Sequence, residues 1–131
     1  MLRIAFATAD GTAVDQHFGW CRRFDVYEFD AGHARLAAIR ELPAVPGEED
    51  GKIEARLDAV RDCAIVHIAA IGGTAAARVV NAGLMPVKVP EGTAVADLVL
   101  RLQDVLQGSP PPWLRKVLRR HDPATPVWSP A

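Results

Sequence analysis

The feature that most restricts the fold is the segment Cys63-Ala64-Ile65-Val66-His67-Ile68-Ala69-Ala70, in which His67 is the one polar side chain. A strand sends successive side chains to opposite faces, so a run that is apolar throughout needs cover on both sides. Ile71-Gly72-Gly73-Thr74 follows at once and breaks the strand, and residues 75–82 then read as a helix stopped by Gly83. Such a strand–turn–helix unit belongs in a sheet with parallel strands and helices packed across it.

The rest of the chain is consistent with that frame. Leu2-Arg3-Ile4-Ala5-Phe6-Ala7-Thr8 is a second buried strand ending at Asp10-Gly11. Residues 24–30 and 34–42 are β-rich and parted by Ala31-Gly32-His33, which predicts an antiparallel hairpin. Residues 43–51 hold two prolines, two glycines and three acids, and read as a solvated loop. Ile53, Leu57 and Val60 are spaced to form one stripe of a short helix. Residues 84–89 make a short strand whose Pro86 suits an edge. Thr93 is placed to N-cap a helix running to Gln107, with Val95, Leu98, Val99, Leu102, Val105 and Leu106 toward the core and Gly108 ending it. The predicted fold is α/β: a mixed sheet of about five strands with helices on its faces.

Charge and cysteine content narrow the functional class. A net charge of −1 argues against a general nucleic-acid binder. Two cysteines, Cys21 and Cys63, are far from a disulfide framework, which suits reduced thiols and a cytoplasmic setting. Met1 leads straight into the first strand without a secretory leader, and no apolar run approaches the roughly 20 residues that span a bilayer, so no membrane role is expected. The charge is uneven: residues 109–131 hold four basic residues against one acid, whereas the other 108 hold 11 basic and 15 acidic groups. Six of the ten prolines and two of the three tryptophans also lie in that tail. The chain therefore divides into an α/β domain, residues 1–108, and a basic, Pro/Trp-rich extension, residues 109–131.

Two loops can carry chemistry. The first strand is followed by Asp15-Gln16-His17-Phe18-Gly19-Trp20-Cys21-Arg22-Arg23, and residues 71–73 open a helix at the carboxyl end of the other buried strand. In open α/β sheets ligands lie beyond the carboxyl ends of parallel strands. If the two strands are parallel neighbours, one rim combines His17 and Cys21 as donors, Arg22 and Arg23 as cations, and the unpartnered amides near Gly72, Gly73 and Thr74 as an anion site. Imidazole and thiolate suit iron, and the set as a whole suits an anionic metal–sulfur cluster. Each part also has a plain structural reading. A loop histidine is commonly just solvated, Phe18 and Trp20 can be packing aromatics, paired glycines make a tight turn, and Arg22 and Arg23 can solvate a strand entrance. Cys63 and His67 sit where an inert thiol and a satisfied core histidine are expected.

In the tail, Trp113, Leu114, Val117 and Leu118 form one helical stripe with Arg115, Lys116, Arg119 and Arg120 opposite, after Pro110-Pro111-Pro112. So short a helix is marginal alone and must dock, on its own acidic body, on a partner or on an anionic surface.

The Asp15-Gln16-His17-Phe18-Gly19 loop, followed in order by Ile71-Gly72-Gly73-Thr74-Ala75-Ala76-Ala77-Arg78-Val79-Val80, resembles the NifX-type proteins, a family that includes NafY and VnfX domains and the carboxyl-terminal domain of many NifB proteins. The likeness runs from Ile4 to about Gly108, and Pro111-Pro112-Trp113-Leu114-Arg115 is similar to the NifX branch. It implies a ribonuclease-H-like fold and a non-catalytic carrier. Its cargo is an iron–sulfur precursor of the nitrogenase iron–molybdenum cofactor (NifB-co type), or the cofactor itself, exchanged with NifB-type proteins and the NifE–NifN scaffold. Carried over by position, His17 is the first contact for the cluster, with Cys63 as a second metal ligand; Gly19 belongs to the same loop motif. Cys21 has no counterpart in the family pattern. A monomer, or a dimer bridged by one cluster, fits these ligands.

Two cysteines cannot supply a four-thiolate cluster site, which favours a prebuilt cluster that arrives and leaves intact. A nuclease needs several carboxylates around two cations, yet Asp10 and Asp15 follow the first strand while the later strand offers Cys63 and His67. The remaining alternative is an interaction module or regulator of nitrogenase assembly that uses the basic tail and carries no cluster of its own.

Overall fold

A computed structural model describes residues 2–30, 33–43 and 49–121, without the side chains of residues 49, 50 and 121. Strand β1 is Leu2–Ala7, β2 Ala13–Val14, β3 Arg23–Phe29, β4 Ala34–Glu41, β5 Ile65–Ile68, β6 Met85–Lys88 and β7 Thr93–Ala94. Helix α1 is Glu49–Val60, α2 Gly73–Asn81, α3 Val95–Gln107 and α4 Pro112–His121.

Five strands form a mixed sheet in the order β4-β3-β1-β5-β6. β1 is central: it pairs antiparallel with β3, from Leu2 opposite Phe29 to Ala7 opposite Phe24, and parallel with β5, from Ile4 opposite Ile65 to Phe6 opposite His67. β6 lies parallel to β5 at the edge, where Pro86 is tolerated. The expected α/β sheet, its parallel pair and its hairpin are all present.

The two-sided hydrophobicity of β1 and β5 is used on both faces. Ala5, Ala7, Phe24, Val26, Val66 and Ile68 pack under α1 (Ile53, Leu57, Val60) and α2 (Ala75, Val79). Leu2, Ile4, Phe6, Phe29 and Ile65 pack under α3 (Val95, Leu98, Leu106) and α4 (Leu114, Val117, Leu118). Thus α4 supplies part of the second core, although Trp113, placed by its spacing on the same stripe, is 43% exposed.

Three local expectations are corrected. α1 begins at Glu49 and includes Gly51, so the loop expected over residues 43–51 is shorter; residues 44–48 of it lie outside the described part. Thr93 does not cap α3: it sits in β7, paired with β2, and its hydroxyl donates to the Pro90 carbonyl at 2.5 Å. The cap position belongs to Ala94, which offers no side-chain oxygen. His67 is a core histidine, as expected, but only one of its two ring nitrogens is satisfied. Its ring stacks on Phe6 at 4.7 Å and reaches the Ala5 backbone, but its Nδ1 has no hydrogen-bond partner among the described residues.

Burial pushes the His67 imidazole down to about 4, so it is neutral in the folded protein at neutral pH. The unfolded chain takes up this proton as pH falls through about 6.5, whereas the folded chain resists until about 4, so stability is lost across that window. Urea unfolding near pH 7 and near pH 4.5 should show His67→Phe losing about 2–3 kcal/mol less than the parent between the two conditions. An equal loss in both proteins would show that this ring does not carry the acid sensitivity.

Candidate functional site

β1 and β5 run parallel side by side, so the chain leaving each arrives at the same sheet edge. After β2 the backbone returns to the end of β5 and pairs there. Ala69 N–H donates to the Gln16 carbonyl at 3.0 Å, Phe18 N–H donates to the Ala70 carbonyl at 2.9 Å, and His17 bridges to Ala70. Phe18 is fully buried against Phe24 and pins the short 3-10 turn Phe18–Trp20. With both flanks held, the His17 side chain stands exposed at the rim.

The adjoining cleft has a volume of about 510 Å³ and is lined by His17, Gly19, Trp20, Lys52, Ile53, Ile71, Gly72 and Ala75. Its walls come from the 3-10 turn, the first half of α1 and the turn into α2. The first intrahelical bond of α2 is Ala76 N–H to the Gly72 carbonyl at 2.9 Å, which leaves the preceding amides at the helix mouth as potential donors. The lining combines one imidazole, one ammonium and helix-end amides, and no carboxylate among the described residues. Such a surface suits an anion with a metal-bound face.

The glycines contribute space. Gly72 is extended (φ −73°, ψ 159°), a conformation open to any residue. A Cβ added at Gly19, Gly72 or Gly73 would meet nothing within 4 Å. Neither strain nor crowding requires glycine at these positions, unlike Gly11, where φ is +87° and a Cβ would come within 2.9 Å of Asp25.

Of the residues singled out in the sequence, His17, Gly19 and Gly72 line this cleft, and Gly73 and Thr74 are exposed in the first turn of α2 beside it. The others are not brought to it. Arg23 is engaged with Asp25, Nε to Oδ1 at 2.7 Å, and it shares with Arg22 a separate depression also lined by Thr8, Gln16 and Glu41. Cys21 is buried and donates Sγ–H to the Arg23 carbonyl at 2.9 Å; burial pushes its thiol up to about 11. Cys63 is buried too, and burial together with the Asp62 carboxylate beside it pushes its thiol up to about 12. Both sulfurs are therefore protonated at neutral pH, the wrong state for ligating a metal. Sequence reasoning missed Lys52, whose Nζ lies 4.7 Å above the Trp20 ring. Its place at i−1 to Ile53, a predicted core position, was the available signal.

Among the described residues no group of three or more His, Cys, Asp or Glu side chains could hold a metal ion, and no helix is long and apolar enough to cross a membrane.

Residues 1–105 match the family described as Dinitrogenase iron-molybdenum cofactor. The chain is 38% identical to Protein NifX of Herbaspirillum seropedicae, over 91% of this chain and 83% of that protein. It is 37% identical to Protein NifY of Azotobacter vinelandii, over 89% of this chain and 48% of that one. It is 30% identical to the FeMo cofactor biosynthesis protein NifB of Bradyrhizobium diazoefficiens, over 84% of this chain but 25% of that protein. The crystal structure of PH0822 shares the fold, with a TM-score of 0.62 at 23% identity over 79% of this chain and 89% of that one.

Because glycine costs roughly 0.5–1 kcal/mol relative to alanine within a helix, Gly73→Ala should leave the melting temperature unchanged or raise it. Gly72→Ala, at the cap, should leave it unchanged within a degree or two. A clear loss of stability by thermal denaturation in either variant would mean that these glycines serve the fold and not the space in the cleft.

Proposed function

This chain belongs to the dinitrogenase iron-molybdenum cofactor family, and from that premise we propose that it serves nitrogenase cofactor assembly as a carrier and not as an enzyme. The cargo is an iron–sulfur precursor of the iron–molybdenum cofactor, of the kind NifB-type proteins make, or the finished cofactor. The exchange partners are then NifB-type donors and the NifE–NifN scaffold.

The observation that carries this reading is the cleft in which the His17 imidazole faces the same space as the Gly72-Gly73 turn. Imidazole is a good donor to iron, and amides at a helix start with a nearby ammonium suit the negative charge of a metal–sulfur core. A carrier must also let go. One protein ligand supported by hydrogen bonds and charge holds a prebuilt cluster without building it into the fold, in keeping with the buried state of both thiols. One cluster per chain, or one bridging two copies through their exposed His17 side chains, satisfies the same chemistry.

Anaerobic titration of the apo-protein with isolated precursor cluster should give a saturable 1:1 coloured complex, and His17→Ala should bind about 10–100-fold more weakly, as expected for loss of a ligand bond partly replaced by solvent. Binding unchanged in His17→Ala would remove the imidazole from the site. No binding by the parent chain would end the carrier reading.

A second reading, an interaction module, is favoured by a groove of about 310 Å³ between α2 and α4, where exposed Val80 and Trp113 lie beside Lys116 and Arg120. Its chemistry suits an acidic segment with an apolar anchor. Removing residues 109–131 would strip Leu114, Val117 and Leu118 from the core, so point changes are the cleaner probe. Trp113→Ala with Lys116→Glu should weaken capture of assembly partners about tenfold in pull-down titrations while cluster binding stays unchanged; partner binding indifferent to both changes would dismiss this surface.

A further inference from the structure

We propose that Lys52 is the cationic contact of the cleft for its anionic cargo, and that the Trp20 indole is the resting partner it leaves when the cargo enters. This rests on the carrier reading for the nature of the cargo and adds the residues that match its charge.

Five of the eleven basic residues of the body hold counter-charges among the described residues. Arg3 and Arg35 hold Glu28, Arg23 holds Asp25, Arg40 holds Asp62, and Arg61 holds Glu54 and Asp58. Lys52 differs: no carboxylate faces it among the described residues, and its ammonium lies over the Trp20 ring at 4.7 Å, at the wall of the cleft. One turn further along α1, Arg56 is only 4% exposed, donates Nη1–H to the Lys52 carbonyl at 3.0 Å, and leaves its buried Nε without a hydrogen-bond partner among the described residues. No carboxylate pairs with Arg56 either among the described residues. Among the described residues, the first half of α1 therefore presents two cations that no carboxylate faces, half-buried Lys52 lining the cleft and buried Arg56 behind it, and an anion entering the cleft would supply the missing charge.

The exchange is favourable on general grounds. A cation–π contact at an exposed site is weaker than a charge-assisted hydrogen bond to an anion, and Trp20 is 69% exposed, so solvent readily takes its face when Lys52 departs. The ammonium has three donors on a flexible stem, so it can reach a cargo sulfide that His17 ligates through iron from the neighbouring turn. Arg56 acts through Lys52 and is a positioning residue.

Titrations of the full chain with isolated precursor cluster, at low and high salt, test this. Lys52→Gln should bind about tenfold more weakly than the parent and with a shallower salt dependence. Lys52→Arg should stay within about threefold of the parent, and Trp20→Leu should bind about two- to fivefold more tightly, because no cation–π contact need be broken. Parent-like affinity and salt dependence in Lys52→Gln, with the parent itself binding, would overturn this inference and leave the carrier reading standing. Weaker binding by Trp20→Leu would overturn the exchange. Absence of binding by the parent would be the failure of the carrier reading, and this inference would fall with it.

Discussion

Two backbone hydrogen bonds at the end of β5, Ala69 N–H to the Gln16 carbonyl and Phe18 N–H to the Ala70 carbonyl, fix everything that makes the site a site. They tie a loop that left β1 ten residues earlier to the turn that opens α2. Without them His17 and Gly72 would sit on independent loops, and no pocket of defined shape would exist between them. The bonds hold because Phe18 is driven into the core beside Phe24 and because β1 and β5 are parallel neighbours buried on both faces. Site geometry is thus a consequence of core packing, one residue away.

The same economy appears in the electrostatics. Most arginines of the body are committed to carboxylates and both thiols are held protonated by burial, so the groups left available at the rim are an imidazole, an ammonium and helix-end amides. In the carrier role proposed above, that set would hold an anionic, iron-bearing object through one coordinate bond and several weaker polar contacts. Each can be exchanged stepwise with an incoming partner, which is what a transfer protein requires and what a permanent cluster site, with its full thiolate complement, prevents.

Much of this was legible in the sequence, because the strongest signals were two-sided apolar runs and paired glycines. β1 and β5 follow from their continuous apolar runs, and α2 and the hairpin from the turn signals around them. The parallel pairing of β1 with β5 that brings His17 to the glycine turn stood only as a condition in the sequence, because the hairpin strands lie between them. The failures have physical causes. β2 and β7 are two residues each, too short for any periodic pattern, and Thr93 was claimed by that pairing before it could cap α3. Arg23 looked free in the sequence but lies two residues from Asp25, on the same side of a strand, and was captured by it. Trp20 and Lys52 are 32 residues apart with a proline-containing loop between them, so nothing local announced that an ammonium would rest on that indole. Helical spacing put Trp113 on one stripe with Leu114, but a stripe does not define how far the receiving surface extends, and Trp113 stays 43% exposed.

Anaerobic NMR of the isotopically labelled full chain locates the cargo without depending on any substitution. On adding a paramagnetic iron–sulfur precursor cluster, amide signals should broaden around residues 16–20, 52–53 and 70–75, while those of β4 and α4 stay sharp. Broadening centred on the β3–β4 hairpin or on α4, with the His17 and Gly72 signals untouched, would contradict a cargo seated between the two turns.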